Sequence, residues 1–153
     1  MIEIVLGSVY LFDDSGKYSP PNKFAKDTSP ATKTARIRIL VVDDHRLIAD
    51  TLSEILDHAG FEVDVAYDGW QAIQKAARFK PDQLLSDVVM PGMNGVELAK
   101  AIRKMHPSTK IFLFSAQAGV SEILLDAEKQ GYYFELLAKP LHPAKLIERL
   151  RDQ

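Results

Sequence analysis

The chain has 153 residues, no cysteine and a formal net charge of −2. That length holds one domain with a proper core plus an appendage, the missing cysteines exclude disulfides and Cys-based zinc sites, and the near-balance of charge gives no reason to expect direct nucleic-acid contact. No apolar run approaches the ~18 residues of a membrane span, and no basic segment precedes the N-terminal apolar residues, so the expectation is a cytoplasmic protein with no membrane partner.

Residues 1–12 are apolar and rich in β-branched and aromatic types, a strand composition. Residues 13–36 carry three prolines, scattered charges and few large aliphatics, too little apolar surface to offset the entropy of ordering. The expected organisation is an N-terminal extension over 1–36, flexible along 13–36, and a folded domain over 37–153. From residue 37 the pattern alternates. Ile37 to Val42 is a short apolar run ending in Asp43-Asp44, a buried strand. Leu47, Ile48, Thr51, Leu52, Ile55 and Leu56 recur with helical spacing as one face of a helix, which Gly60 stops. Phe61 to Ala66 is a second strand. Asp68 is placed to cap a helix carrying Trp70, Ile73, Ala76 and Ala77, and Pro81 ends it. Gln83 to Ser86 is the third strand, which delivers Asp87 where the apolar run stops. Pro91, Gly92, Asn94 and Gly95 then mark a loop. Val96, Leu98, Ala99, Ile102 and Met105 mark a helix that ends before Pro107. Lys110 to Ser115 is the fourth strand, Ser121 to Lys129 a helix closed by Gly131, and a fifth strand lies within Phe134 to Ala138. Pro143, suited to a first helical position, opens the last helix through Leu146, Ile147 and Leu150.

Five strands each followed by a helix require parallel pairing and right-handed crossovers. The expected fold is α/β, a flavodoxin-like (βα)5 doubly wound parallel five-stranded sheet. In such a sheet the C-terminal strand tips share one edge, where ligands bind.

Asp43, Asp44, Asp87 and Ser115 fall at those tips, and Lys139 follows the fifth strand. Each has a bland alternative taken alone: a helix cap for Asp43 or Asp44, a turn residue for Asp87 or Ser115, a solvated surface charge for Lys139. Their convergence on one edge shifts the weight. Three carboxylates in one crevice repel one another. A hard Mg²⁺ ion relieves that repulsion and pairs naturally with phosphate. Lys139 supplies a compact point charge and Ser115 a hydroxyl donor, both suited to phosphoryl oxygens. The edge reads as a Mg²⁺ and phosphate site with Asp87 as candidate carboxylate nucleophile. His45 and His142 lie near it without ligand spacing and read as loop residues.

In their order and spacing, LVVDD at 40–44, SDVVMPGMNG at 86–95, FS at 114–115 and KP at 139–140 resemble a response-regulator receiver domain of two-component signalling. The resemblance covers about 37–151 and leaves 1–36 unexplained. It implies that Asp87 is the phosphoacceptor, served by a sensor histidine kinase or a histidine phosphotransfer protein. It implies a Mg²⁺ set of Asp44 directly, Asp43 through water, Asp87, and the backbone carbonyl of Val89. Lys139 would pair with Asp87 and later hold a phosphoryl oxygen, and Ser115 would move inward onto the acyl phosphate. The implied protein is a signalling module rather than a turnover enzyme. It would change partner binding at the face of its fourth helix, fifth strand and fifth helix, which also suits a homodimer; the downstream protein target is left open. Because the chain ends just after the fifth helix, the expectation is a receiver without an output domain.

One position departs from the family pattern. Three residues before Lys139, where a switching Tyr or Phe is usual, stands Leu136. Tyr132, Tyr133 and Phe134 lie just upstream, and the stretch from Ser115 to Lys139 is slightly longer than usual. Either the aromatic flip is absent or Phe134 takes its place through a shifted register. Val89 and Gln117 occupy positions that tune how fast receivers lose phosphate. Two other readings stand beside this one. A Mg²⁺-dependent phosphohydrolase with an aspartyl-phosphate intermediate is disfavoured by adjacent aspartates in place of Asp-x-Asp and by the lack of a cap insertion. A constitutive docking module on a receiver fold is favoured by Leu136 and disfavoured by the intact acidic set.

Overall fold

The structure, a computed structural model, describes residues 35–116 and 119–152 and the backbone of residues 2–5, 8–12 and 18–19. It divides into two units, Met1–Thr34 and Ala35–Gln153. In the first, β1 (Ile2–Val5), β2 (Ser8–Phe12) and β3 (Tyr18–Ser19) form an antiparallel sheet in that order. The register runs from Ile2↔Leu11 to Val5↔Ser8, so the apolar run at 1–12 holds two strands of a hairpin. β3 pairs with Leu11 and Phe12 although it lies within the stretch expected to be flexible. The rest of that stretch up to Thr34 lies outside the described residues.

The second unit alternates strictly: β4 (Arg38–Val42), α1 (Arg46–His58), β5 (Glu62–Ala66), α2 (Gly69–Phe79), β6 (Gln83–Asp87), α3 (Gly95–Met105), β7 (Lys110–Ser115), α4 (Val120–Lys129), β8 (Glu135–Ala138) and α5 (Pro143–Arg151). The strands pair in parallel in the order β5-β4-β6-β7-β8, the doubly wound sheet that the alternation predicts. Successive side chains on a strand point to opposite faces, so a strand covered on both faces reads as continuously apolar. Leu40, Val42, Leu84 and Leu113 pack under α2, α3 and α4. Ile39, Val41, Leu85, Phe112 and Phe114 pack under α1 and α5. Each fully buried aliphatic or aromatic side chain contributes about 1.5–3 kcal/mol. Among the described residues no helix is long and apolar enough to cross a membrane.

Helix termini follow local chemistry. Asp68 accepts from the backbone N–H of Gln71 at 2.7 Å, as its capping position requires. Asn94 and Glu97 form a reciprocal capping box at the start of α3. Pro143 sits in the first turn of α5. The apolar faces are less faithful to the periodicity. α1 buries Ala49 and Leu56, whereas Leu47 is 79% exposed and Ile48 and Thr51 are exposed. α2 buries Gly69, Ala72 and Ala76, while Trp70 is 67% exposed and Ala77 is exposed. The small residues let α2 approach closely, and on each helix one edge of the apolar stripe is left exposed.

Candidate functional site

The parallel register brings four strand ends to one edge. Val42 pairs with Ser86, Asp87 with Phe114, and Ser115 with Ala138, so the residues that end or follow these strands are neighbours. β6 runs one residue further than its apolar run, making Asp87 its last residue. The loop after it folds back so tightly that a Cβ on Gly95 would lie 2.0 Å from the Asp87 carbonyl oxygen. Gly95 N–H donates to the carbonyl of Val88 at 2.8 Å, which closes the loop. On its other side the loop meets α2, where a Cβ on Gly69 would lie 2.6 Å from Met93 Sδ. Glycine is needed at both positions for closeness of approach.

Asp43 is fully buried and Asp87 is 6% exposed, whereas Asp44 reaches the surface. Lys139 Nζ lies between the two buried acids, 3.8 Å from Asp43 Oδ2 and 3.7 Å from Asp87 Oδ2. It also stands 4.7 Å from the centre of the Phe114 ring, which fixes its stem. The Lys139–Pro140 peptide is cis. Val89 contributes its backbone N–H, which donates to Asp87 Oδ1 at 3.4 Å; its side chain is exposed. Ser115 ends β7 half-buried, and Lys139 N–H donates to its carbonyl at 3.3 Å. Burial pushes the Asp87 carboxyl above its ordinary value, with Lys139 pulling down, Asp43 pushing up, the Val89 N–H pulling down and Asp44 pushing up.

Carboxylate oxygens of Asp43, Asp44 and Asp87 lie within 4.8 Å of one another and of a ring nitrogen of His45. Among the described residues, Asp43 Oδ2 and Asp44 Oδ1 are buried with no hydrogen-bond partner. A buried carboxylate oxygen left without a donor is costly. A divalent cation would satisfy both, and carboxylate oxygens are the donors a hard cation such as Mg²⁺ prefers. The residues fit that group.

His45 was expected to be a loop residue, and the structure brings it into the acidic cluster. Its backbone N–H donates to Asp43 Oδ1 at 2.9 Å, and its Nδ1 lies 3.4 Å from Asp43 Oδ1 and 3.5 Å from Asp44 Oδ1. The available signal was its place directly after Asp43-Asp44 in a strand-to-helix turn, where successive side chains no longer alternate as on a strand. His142, at the start of α5, makes no side-chain cap bond and stands outside the cluster. Gln117 lies outside the described residues.

β8 pairs without interruption from Glu135 to Ala138, with Leu136 opposite Leu113. The extra residues therefore fall ahead of the strand, where Tyr132 and Phe134 stack at 6.0 Å and pack on the core. Leu136 stands within β8, opposite Leu113 and 42% exposed, and Phe134 precedes the strand.

Comparison with known proteins agrees with this geometry. Residues 39–151 match the response regulator receiver domain family. The chain is 36% identical over 114 residues to the chemotaxis protein CheY of Thermotoga maritima, covering 74% of this chain and 93% of that protein. It is 36% identical over 117 residues to the response regulator MprA of Mycobacterium ulcerans, covering 75% of this chain but spanning only 49% of MprA. The chemotaxis protein CheY4 of Vibrio cholerae superposes with a TM-score of 0.69 at 33% identity, covering 76% of this chain and 98% of that one. The chain belongs to the response regulator receiver domain family of two-component signalling.

Proposed function

We propose that the protein is a phosphoacceptor whose Asp87 receives a phosphoryl group from the phosphohistidine of a sensor histidine kinase or a histidine phosphotransfer protein. One observation carries the reading: the buried Asp43 Oδ2, without a hydrogen bond, shares the Lys139 charge with Asp87 at the strand tips. Asp43, Asp44 and Asp87 would hold Mg²⁺ through carboxylate oxygens, with the Val89 carbonyl as a further ligand. When bound, the ion supplies positive charge that offsets the charge of the transferring group.

Asp87 is held in line by the Val89 N–H, and its carboxylate oxygen attacks phosphorus. The P–O bond forms as the P–N bond to the donor imidazole breaks. The imidazole leaves with the electron pair and takes up a proton. Lys139 already faces the carboxylates and moves its charge onto a phosphoryl oxygen, while the Ser115 hydroxyl donates to another.

The donor histidine must come close, because Asp87 is nearly buried. An apolar groove of about 400 Å³ opens beside the site, lined by Leu47, Ile48, Leu52, Phe114, Lys139 and Pro143. It shares Phe114 and Lys139 with the acceptor and suits an apolar helix carrying the phosphohistidine. Output is assigned to the face of α4, β8 and α5, where Leu125 and Leu136 are exposed.

Incubation with Mg²⁺ and a small acyl phosphate should add the mass of one phosphoryl group, and Asp87→Asn should abolish the gain. No gain, or an unchanged gain in that variant, refutes the reading.

A further inference from the structure

Among the described residues of the acidic cluster, His45 alone has no part in the phosphoacceptor reading. It stands at the first position before α1, yet its side chain makes no cap hydrogen bond. Its ring is instead turned back to the carboxylates, with Nδ1 at 3.4 and 3.5 Å from the Oδ1 atoms of Asp43 and Asp44. Two ligand atoms each about 2.1 Å from one ion at a tetrahedral angle stand about 3.4 Å apart. The separations are those of ligands sharing an ion. Asp43 supplies the second, independent sign of a ligand: it is fully buried and its Oδ2 has no hydrogen-bond partner.

We propose that His45 is an imidazole ligand of the cluster, so that the site binds borderline first-row divalent ions such as Zn²⁺ and Co²⁺ through Asp43, Asp44, Asp87 and His45. The proposal rests on the reading of the three carboxylates as a cation site and adds the class of ion they take. Carboxylates alone suit hard ions; an imidazole nitrogen adds affinity for zinc, cobalt and nickel and almost none for magnesium. His45 is 68% exposed at its side chain and can turn toward an ion without displacing packed atoms. An ion held this way occupies the carboxylates that Mg²⁺ needs, so the zinc class competes with Mg²⁺-supported phosphorylation of Asp87. A His45 acting only as a counter-charge to the acids predicts no such selectivity.

The test titrates the full chain with Co²⁺, read by its visible absorption, and with Zn²⁺ and Mg²⁺ by calorimetry, in wild type, His45→Ala, His45→Gln and Asp43→Asn. Expected is a loss of about tenfold or more in Co²⁺ and Zn²⁺ affinity in both His45 variants. Their Mg²⁺ affinity should be unchanged, and the Co²⁺ band should shift as a nitrogen ligand is lost. Asp43→Asn should weaken all three ions. Unchanged Co²⁺ and Zn²⁺ binding in the His45 variants, with Asp43→Asn still weakening Mg²⁺, overturns the proposal and leaves the cation site standing. An equal loss for Mg²⁺ and Co²⁺ in the His45 variants overturns it too, since that marks a structural role. No effect of Asp43→Asn on any ion overturns both readings.

Discussion

Replacing Asp87 with asparagine should make the metal-free protein more stable at neutral pH. Oxygens of Asp43 and Asp44 lie within 4.8 Å of the Asp87 carboxylate, and at an effective dielectric of about 20 each repulsion is about 3.5 kcal/mol. Lys139, at 3.7 Å, returns about 4.5 kcal/mol. The balance is a net repulsion of about 2 kcal/mol, trimmed to about 1–2 kcal/mol because Asp44 is 26% exposed and partly screened by water. Asparagine keeps an oxygen for the Val89 N–H, Lys139 keeps Asp43 at 3.8 Å, and the new amide N–H groups have the carboxylate oxygens of Asp43 and Asp44 nearby. A stabilisation of that size raises the midpoint of thermal unfolding by several degrees in a unit of this length. The pH dependence has a definite sign. Folding raises the Asp87 carboxyl above its ordinary 3.8, so the wild type is favoured below that value and loses stability as pH rises through the raised one. The advantage of Asp87→Asn should therefore be greatest above the raised value and fade as the pH falls toward 3.8. Mg²⁺ should reverse the order: an ion at a hundred times its Kd stabilises by about 2.7 kcal/mol, and the variant binds it more weakly. Urea or thermal unfolding with a chelator and then with Mg²⁺ measures both effects. A variant less stable than wild type at pH 7 without metal, or a difference that does not shrink in acid, refutes the like-charge reading.

Lys139→Met should do the opposite, leaving Asp43 and Asp87 without their cation and costing about 2–4 kcal/mol in metal-free urea unfolding; an unchanged midpoint would show that the lysine is idle. Gly95→Ala should cost about 3 kcal/mol or more in the same assay, because its Cβ meets the Asp87 carbonyl at 2.0 Å, and should slow phosphorylation by distorting the loop. Full stability and full rate in that variant would mean that the loop yields freely. Leu47→Glu, at a position 79% exposed, should lower phosphotransfer from a protein donor about tenfold relative to transfer from a small acyl phosphate. Equal effects on both donors would remove the groove from the docking surface.

The site was legible in the sequence because the physics that makes a buried strand also marks its end. An apolar run that stops at Asp43 or Asp87 gives both the strand and the position of its tip, and alternation with helices places all the tips on one edge. What periodicity does not encode is coverage. Leu47, Ile48 and Thr51 stand on one edge of the apolar stripe of α1 and Ala49 and Leu56 on the other, and only that second edge rests on the sheet, so the same stripe serves as core along one edge and as open groove along the other. Trp70, in α2, is likewise left exposed. His45 was missed because the only sign of its direction is its place in the strand-to-helix turn after Asp43-Asp44, where the Asp43 Oδ1 bond turns the chain and strand alternation no longer applies. The position of Leu136 could be counted from Lys139. Only the uninterrupted pairing of β8 shows that the added residues lie ahead of the strand.

That position constrains how a signal leaves the site. A phosphoryl group on Asp87 brings about −1.5 to −2 charge and three acceptor oxygens. Ser115 and Lys139, tied to each other through the 3.3 Å backbone bond, are the donors at that edge. Two charge-assisted bonds at about 1.5–3 kcal/mol each approach the ~5.5 kcal/mol needed to move an equilibrium from 1:99 to 99:1. The free energy available at the site is therefore of the right order. On the proposed reading, the side chain in β8 that would receive that movement is Leu136, which has no hydroxyl to gain or lose a hydrogen bond. Leu136 is 42% exposed, and burying the remainder of its side chain yields about 1 kcal/mol, a fraction of what the switch needs. Side-chain packing at Leu136 cannot carry the transition alone. The larger share has to travel through the backbone of β7 and β8, and the partner's own contacts with the α4, β8 and α5 face must supply the rest. On the proposed reading, output is then a graded bias on partner affinity, not a self-sufficient switch.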